Sequence, residues 1–380
     1  SFSWTLTDEY FSSNTLEDNL SITFHEAFHA FEADEKRAGK PWKRENAMLI
    51  FEYQESSARN NALFNIEGKI LYSALQTKNL SQLKQKVRQF LTIRYLRQSE
   101  LQKDFVEFEK GAESNEGMAE YAGTKVVIAA IEAVEQKKIA LPLSEITTAK
   151  FLAKQFRQLI EITKIGKNIR RKFYYTGSVQ GFLLDRLMND WKTKVQMESK
   201  ATQDLLVESV GKNLLKANKI LAQYDYEKVL AEEEKAVAKR NAENQALLTN
   251  TLNQKGRKYT INYSALTGWT GIQNFDPMNV TMVSPKVRVH TRSVTFGNEK
   301  KFTAEFSQPV VEDLDKKEYT TFLAEKESVL ADGEAVDFSK SVELKFNKSL
   351  AINSDNFKFE ASKGLIKISN EGVFVQILEK

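Results

Sequence analysis

The chain has 380 residues, 41% of them apolar, enough to bury a large core and to build two or three domains. Its 55 basic and 51 acidic residues leave a net charge of only +4, too even a balance to argue for a nucleic-acid partner. Cysteine is absent, which excludes disulfides and thiolate metal sites, and no apolar run approaches the ~18–20 residues of a membrane span, Val126–Ile131 being the nearest.

In chain order, Phe2-Ser3-Trp4-Thr5-Leu6 supplies one strand at most. Thr15-Leu16-Glu17-Asp18 reads as a capping box opening a helix, with Leu16, Leu20, Phe24, Phe28 and Phe31 as its apolar stripe and Gly39-Lys40-Pro41 as its stop. Further helices are expected over about 42–76, 79–110, 114–137, 144–165, 176–194, 203–222 and 226–250. Within them, Glu232-Glu233-Glu234-Lys235 reads as a solvated, charge-laced face. Glu52, Glu55 and Glu67 sit among apolar residues, where cleft lining and amphipathic packing explain them equally well.

Near Asn253-Gln254-Lys255-Gly256-Arg257 the pattern changes. Short alternating runs follow, Tyr259–Tyr263, Lys286–His290, Ser341–Phe346 and Val373–Ile377, as in half-buried antiparallel strands. The expected layout is α+β overall: a mainly α domain over 1–255 and an antiparallel β-sandwich-like module over 256–380. His290, a lone histidine in a strand pattern, is expected to face solvent and to take no part in metal binding.

The sharpest signal is His25-Glu26-Ala27-Phe28-His29. Histidines four apart share a helix face and can meet one zinc ion at about 2.0–2.1 Å, with Glu26 close enough to hold a metal-bound water. Three histidines in such a chain give roughly 0.02 pairs at that spacing by chance, and a Glu in the right slot reduces this to about one in a thousand. Burying His25, Glu26 and His29 unpaired as ordinary core would cost several kcal/mol, about 2 or more for each polar group.

Catalytic zinc takes a third protein ligand and keeps a position open for water. Glu113-Ser114-Asn115-Glu116-Gly117-Met118-Ala119-Glu120-Tyr121 offers carboxylates at i and i+4, with Ser114 or Asn115 placed to cap the helix just before them. One of Glu116 and Glu120 can bind the metal while the other takes the free N–H of a ligating histidine. A solvated acidic helix start is the competing reading.

His25–His29 followed by Asn115-Glu116-Gly117-Met118-Ala119-Glu120 resembles the gluzincin metallopeptidases, the thermolysin-like clan. The Glu-Gly-x-Ala-Glu-Tyr wording, with Tyr174-Tyr175-Thr176-Gly177 and Gly181-Phe182-Leu183-Leu184-Asp185, looks most like a little-described group of bacterial metallopeptidase-like proteins. The likeness spans residues 15–195 and is strong only at the two motifs. It implies a zincin-like catalytic domain, His25, His29 and Glu116 as zinc ligands, Glu26 as general base, Glu120 as the carboxylate behind a ligand, and a peptide or protein substrate. Two departures stand against it. His29 and Glu116 are separated by 86 residues, more than in thermolysin, and only 24 residues precede His25, too few for the sheet whose edge strand binds substrate backbone. Since Ser1 is not an initiator methionine, a longer product carrying that edge upstream is expected.

A metallopeptidase also needs a donor for the oxyanion, and a phenol on a rigid element supplies one. Tyr175 or Tyr174 fits, Tyr121 is a rival, and a pair of core aromatics at a helix start is the plainer alternative. Asp185 supports a ligand or pairs with Arg186. The cysteine-free composition suits a secreted bacterial protein, although cytoplasmic proteins share it. The alternative from another class is a catalytically silent zincin-fold protein that binds through the β module or the insertion helices.

Overall fold

A computed structural model describes residues 14–34, 42, 45–53, 57–144, 147–161, 169–276, 279–298, 300–323, 327–337 and 340–379. Among the described residues ten α-helices are followed by two sheets, the α+β layout expected. The chain divides into two compact units, Ser1–Val237 and Ala238–Lys380. The division falls inside the last helix, before residue 255, because the second half of that helix belongs with the strands: Asn244 Nδ2 donates to the Met282 carbonyl at 2.9 Å.

Helix α1 (Leu16–Ala33) opens on the capping box, with Thr15 N bonded to Asp18 Oδ2 and Asp18 N to Thr15 Oγ1, both at 3.2 Å. It ends at Ala33; Gly39–Pro41 and Phe2–Leu6 lie outside the described residues. The expected apolar stripe is not its buried face. Phe24 is 43% exposed, whereas Glu17, His25 and Glu32 are buried. Steps of four and three residues put His25, His29 and Glu32 on one side, and that polar side is the one turned inward.

Several helix boundaries differ from the sequence reading. Residues 42–76 are not one helix: a 3₁₀ turn at Ala47–Phe51 precedes α2 (Ala58–Gln76), where the Ser57 hydroxyl accepts the Asn60 amide at 3.2 Å and fixes the start. Helix α3 (Leu80–Gln98) stops at Ser99, whose hydroxyl turns back to the Leu96 carbonyl. Helix α4 then runs unbroken for 33 residues from Lys103 to Glu135, so Ser114 and Asn115 lie mid-helix and cap nothing. Its interior glycines lose about 1 kcal/mol each in propensity, which packing at the same positions outweighs. Next come α5 (Thr148–Phe156), α6 (Ile169–Leu187), α7 (Trp191–Glu198), α8 (Thr202–Val210), α9 (Ala217–Gln223) and α10 (Tyr226–Leu252). Tyr174 and Tyr175 are thus inside α6, not at a helix start. Glu232 and Glu234 on α10 are exposed as expected, while Glu233 is buried.

The main apolar cluster of the helical unit has Ile66 and Ile70 of α2, Phe90 of α3, Met118 and Tyr121 of α4 and Leu183 of α6 among its members, and smaller clusters form around Phe108 and Phe173 and around Val127 and Phe151. Full burial of such a side chain contributes about 1.5–3 kcal/mol. Beside it runs a dry ionic network. Arg94 donates to Glu67 at 2.7 Å and grips both oxygens of Glu113 at 2.9 and 3.0 Å; Arg97 pairs with Glu67 and Glu109. Glu67 therefore packs as a buried ion pair and lines no cleft; Glu52 is exposed, and Glu55 lies outside the described residues.

In the second unit, strand Arg257–Asn262 pairs in parallel with Gly372–Ile377 and antiparallel with Glu318–Leu323, within an eight-stranded sheet. A seven-stranded antiparallel sheet shares its core, Tyr319 stacking on Phe296 at 4.0 Å. Alternation is clean in Glu318–Leu323, where Tyr319, Thr321 and Leu323 point inward. It fails in Val287–His290, a strand flanked on both sides, and His290 is 1% exposed instead of facing solvent. Its Nε2 lies 3.2 Å from Glu312 Oε2 and its ring meets Phe296 edge-on, so that nitrogen has a buried partner in place of water.

Candidate metal centre

Three helices make the site, and glycines let them approach. A Cβ placed on Gly123 of α4 would lie 2.3 Å from the Ser21 carbonyl oxygen of α1. One on Gly117 of α4 would lie 2.6 Å from the Gly177 Cα of α6. Only glycine permits backbone contacts this close. The crossings bring His25 and His29 from α1 and Glu116 and Glu120 from α4 together with Arg170 and Tyr174 from α6.

Three donor atoms converge there. His25 Nε2 and His29 Nε2 are 3.2 Å apart, and Glu116 Oε2 lies 3.3 Å from the first and 3.5 Å from the second. Ligands arranged tetrahedrally at about 2.0–2.1 Å from zinc stand about 3.3 Å from one another, so one point just off the plane of the three atoms satisfies all of them. The group is largely buried and can hold a metal ion.

Behind each imidazole stands a carboxylate. Glu120 Oε2 is 3.4 Å from His25 Nδ1 and Glu32 Oε2 is 2.9 Å from His29 Nδ1. Each fixes its histidine so that Nε2 is the nitrogen presented inward, the arrangement that orients ligating histidines. Gln155 in turn holds the other oxygen of Glu120. The sequence reading reached Glu120 and passed over Glu32, although Glu32 follows His29 at the i+3 spacing that puts it on the same face.

The carboxylates favour the charged form of the imidazoles. Burial lowers the pKa of both histidines, but Glu116 and Glu120 raise His25 to about 9, and Glu116 and Glu32 raise His29 to about 10. Burial opposes ionisation of Glu116, yet the two histidines, Arg170 and Tyr174 hold its carboxyl well below the usual range. Strong proton binding by imidazoles beside carboxylates is what a cation site looks like before it exchanges protons for metal.

The remaining expected residues separate cleanly. Glu26 is half-buried and has no hydrogen-bond or ion-pair partner among the described residues, leaving its carboxylate free. Tyr174 is the phenol at the site: its ring stacks on His25 at 5.3 Å, and burial together with the nearby Glu116 carboxylate pushes its pKa up. Tyr175 instead lies in the apolar core with its hydroxyl engaged by Arg171. Tyr121 donates to both oxygens of Asp185, at 2.8 and 2.9 Å, and so is turned to that carboxylate and not to the histidines. Asp185 also takes the Trp191 indole N–H, while Arg186 reaches the Lys78 carbonyl. Arg170 and Glu45, both joined to the Glu116 side of the site, carried no signal in the sequence, since no motif or spacing links them to it.

No protein-family model, curated protein or solved structure matches the chain. What the fold and the site define is a class by construction: an α+β protein whose helical unit carries a two-histidine, one-glutamate cluster able to hold a metal ion. No helix among the described residues is long and apolar enough to cross a membrane.

Proposed function

We propose that the chain is a zinc-dependent hydrolase of peptide bonds, of gluzincin type, acting on a peptide or protein substrate. The observation that carries this reading is the meeting of His25 Nε2, His29 Nε2 and Glu116 Oε2 at 3.2–3.5 Å, with the uncommitted Glu26 carboxylate on the same helix. Zinc held there supplies Lewis acidity, polarising a carbonyl and making water acidic near neutral pH. Glu26 takes a proton from the attacking water and passes it to the departing amine. Tyr174 is the better donor for the developing oxyanion, in place of Tyr175, because it already lies against His25. Glu120 and Glu32 keep the imidazoles in the orientation that leaves their Nε2 lone pairs inward.

The test compares the wild-type chain with Glu26→Gln. Both are expected to retain about one zinc per chain after dialysis, while the variant cleaves a peptide library at least ~10²-fold more slowly. Zinc retention with no cleavage by the wild type favours the silent, binding-protein alternative. Wild-type cleavage by Glu26→Gln removes Glu26 as the base, and loss of neither metal nor activity in a His25→Ala, His29→Ala double variant removes the site.

A further inference from the structure

The two oxygens of Glu116 face different ways. Oε2 meets both histidines at 3.3 and 3.5 Å, whereas Oε1 accepts from Arg170 Nη2 at 2.6 Å and from Asn115 Nδ2 at 3.3 Å. Arg170 is not free to leave. Its Nε donates to Glu45 Oε1 at 2.9 Å and its Nη2 to the same oxygen, while Glu45 Oε2 accepts from Asn115 Nδ2 at 3.2 Å. A closed ring results, Glu116 to Arg170 to Glu45 to Asn115 and back, drawn from α4, α6 and the segment before the 3₁₀ turn. The Glu45 side chain is 3% exposed and that of Arg170 32%, so the anchoring carboxylate is buried while part of the guanidinium side chain meets solvent.

We infer that Arg170, anchored by Glu45 and Asn115, is a positioning residue that reserves Oε1 of Glu116, so that this ligand offers a metal ion one oxygen and leaves a coordination position open. The inference rests on the reading that His25, His29 and Glu116 hold the ion. A carboxylate with both oxygens unoccupied can close on a cation in bidentate fashion, and the second oxygen then takes the space that water and the substrate carbonyl need. A charge-assisted bond from a guanidinium is among the strongest a carboxylate oxygen can make, and the planar fork directs it at one atom. Arg170 acts through Glu116 and need not touch substrate. A Lys at this place would keep the charge but could not bond Glu45 and Glu116 from one rigid plane.

The experiment uses the full chain loaded with cobalt(II), whose visible absorption weakens as coordination rises above four, together with zinc X-ray absorption for ligand number. Arg170→Met is expected to retain about one metal per chain. Its cobalt bands should weaken, the zinc ligand number should rise, and kcat should fall about 10–100-fold with KM little changed. Glu45→Gln keeps the volume of the anchor and should show the same changes in smaller degree, which serves if Arg170→Met does not fold. Arg170→Lys should resemble Met, not the wild type. Wild-type cobalt and zinc spectra in a folded Arg170→Met, or in Glu45→Gln if that is the variant that folds, overturn the inference while leaving the metal site standing. Failure of the wild-type chain to bind cobalt or zinc at all overturns the metal reading itself.

Discussion

Replacing Gly123 with alanine tests whether the helix crossing, and not the ligands alone, makes the metal site. The added Cβ would lie 2.3 Å from the Ser21 carbonyl oxygen and 3.1 Å from the Ser21 carbonyl carbon and hydroxyl. A carbon and a carbonyl oxygen ordinarily come no closer than about 3.3 Å, so α1 must retreat by about 1 Å. Alanine recovers up to about 1 kcal/mol of helix propensity at this position, whereas forcing an extra methyl into a packed interface costs about 1–3 kcal/mol. The net change is a modest loss, of up to about 2 kcal/mol, and the chain still folds. The metal site suffers more. The Ser21 carbonyl is the one an α-helix pairs with the His25 amide, so displacing it carries the histidine with it. The present separations of 3.3 and 3.5 Å from Glu116 Oε2, close to the ~3.3 Å of a shared tetrahedral ion, would widen by about the same 1 Å and no longer suit one ion. Zinc affinity, measured by competition with a chromophoric chelator, is expected to fall about 100-fold or more while the far-ultraviolet dichroism stays that of a folded helical protein. Wild-type affinity in a folded Gly123→Ala would show that the α1–α4 approach does not set the site.

The two carboxylates behind the histidines should behave alike: Glu120→Ala and Glu32→Ala each weaken zinc binding about 10–100-fold, whereas Glu116→Ala abolishes retention, and equal losses from all three would refute the ranking. Stability and affinity should also run in opposite directions with pH. Because the histidine pKa values rise on folding from 6.5 to about 9 and about 10, the metal-free chain binds more protons folded than unfolded over that window, and its stability falls as pH rises from 6.5. Zinc must displace those protons, so its affinity climbs over the same window; calorimetric titrations at pH 6.5, 7.5 and 8.5 that show a flat affinity would contradict the proton-for-metal exchange.

Much of the layout is legible in the chain itself. Periodicity separates helices from strands near Gly256, and the Thr15–Asp18 capping box opens α1 as read, because capping and alternation are local: they depend on residues within about one turn of each other. Helix lengths were less legible. Nothing local in Glu109–Asn115 tells that α4 passes straight through it, since the choice rests on Arg94 and Arg97 neutralising Glu109 and Glu113 from another helix. His290 shows the same limit, being buried because strands on both sides and Glu312 enclose it.

At the site, the sequence by itself determined the helical donors, His25 and His29 in one motif, with Glu116 and Glu120 in another, because spacing along a helix decides which side chains share a face. Tertiary structure alone decided that the two motifs meet, that Glu32 backs the second histidine, that Tyr174 and not Tyr175 reaches the cluster, and that Arg170 and Glu45 claim one oxygen of Glu116. Those relations join residues far apart in the chain, Glu45 and Arg170 being 125 positions apart and His25 and Tyr174 still further. They arise where Gly117, Gly123 and Gly177 let helix backbones touch, a steric fact about two surfaces that neither surface carries in its own sequence.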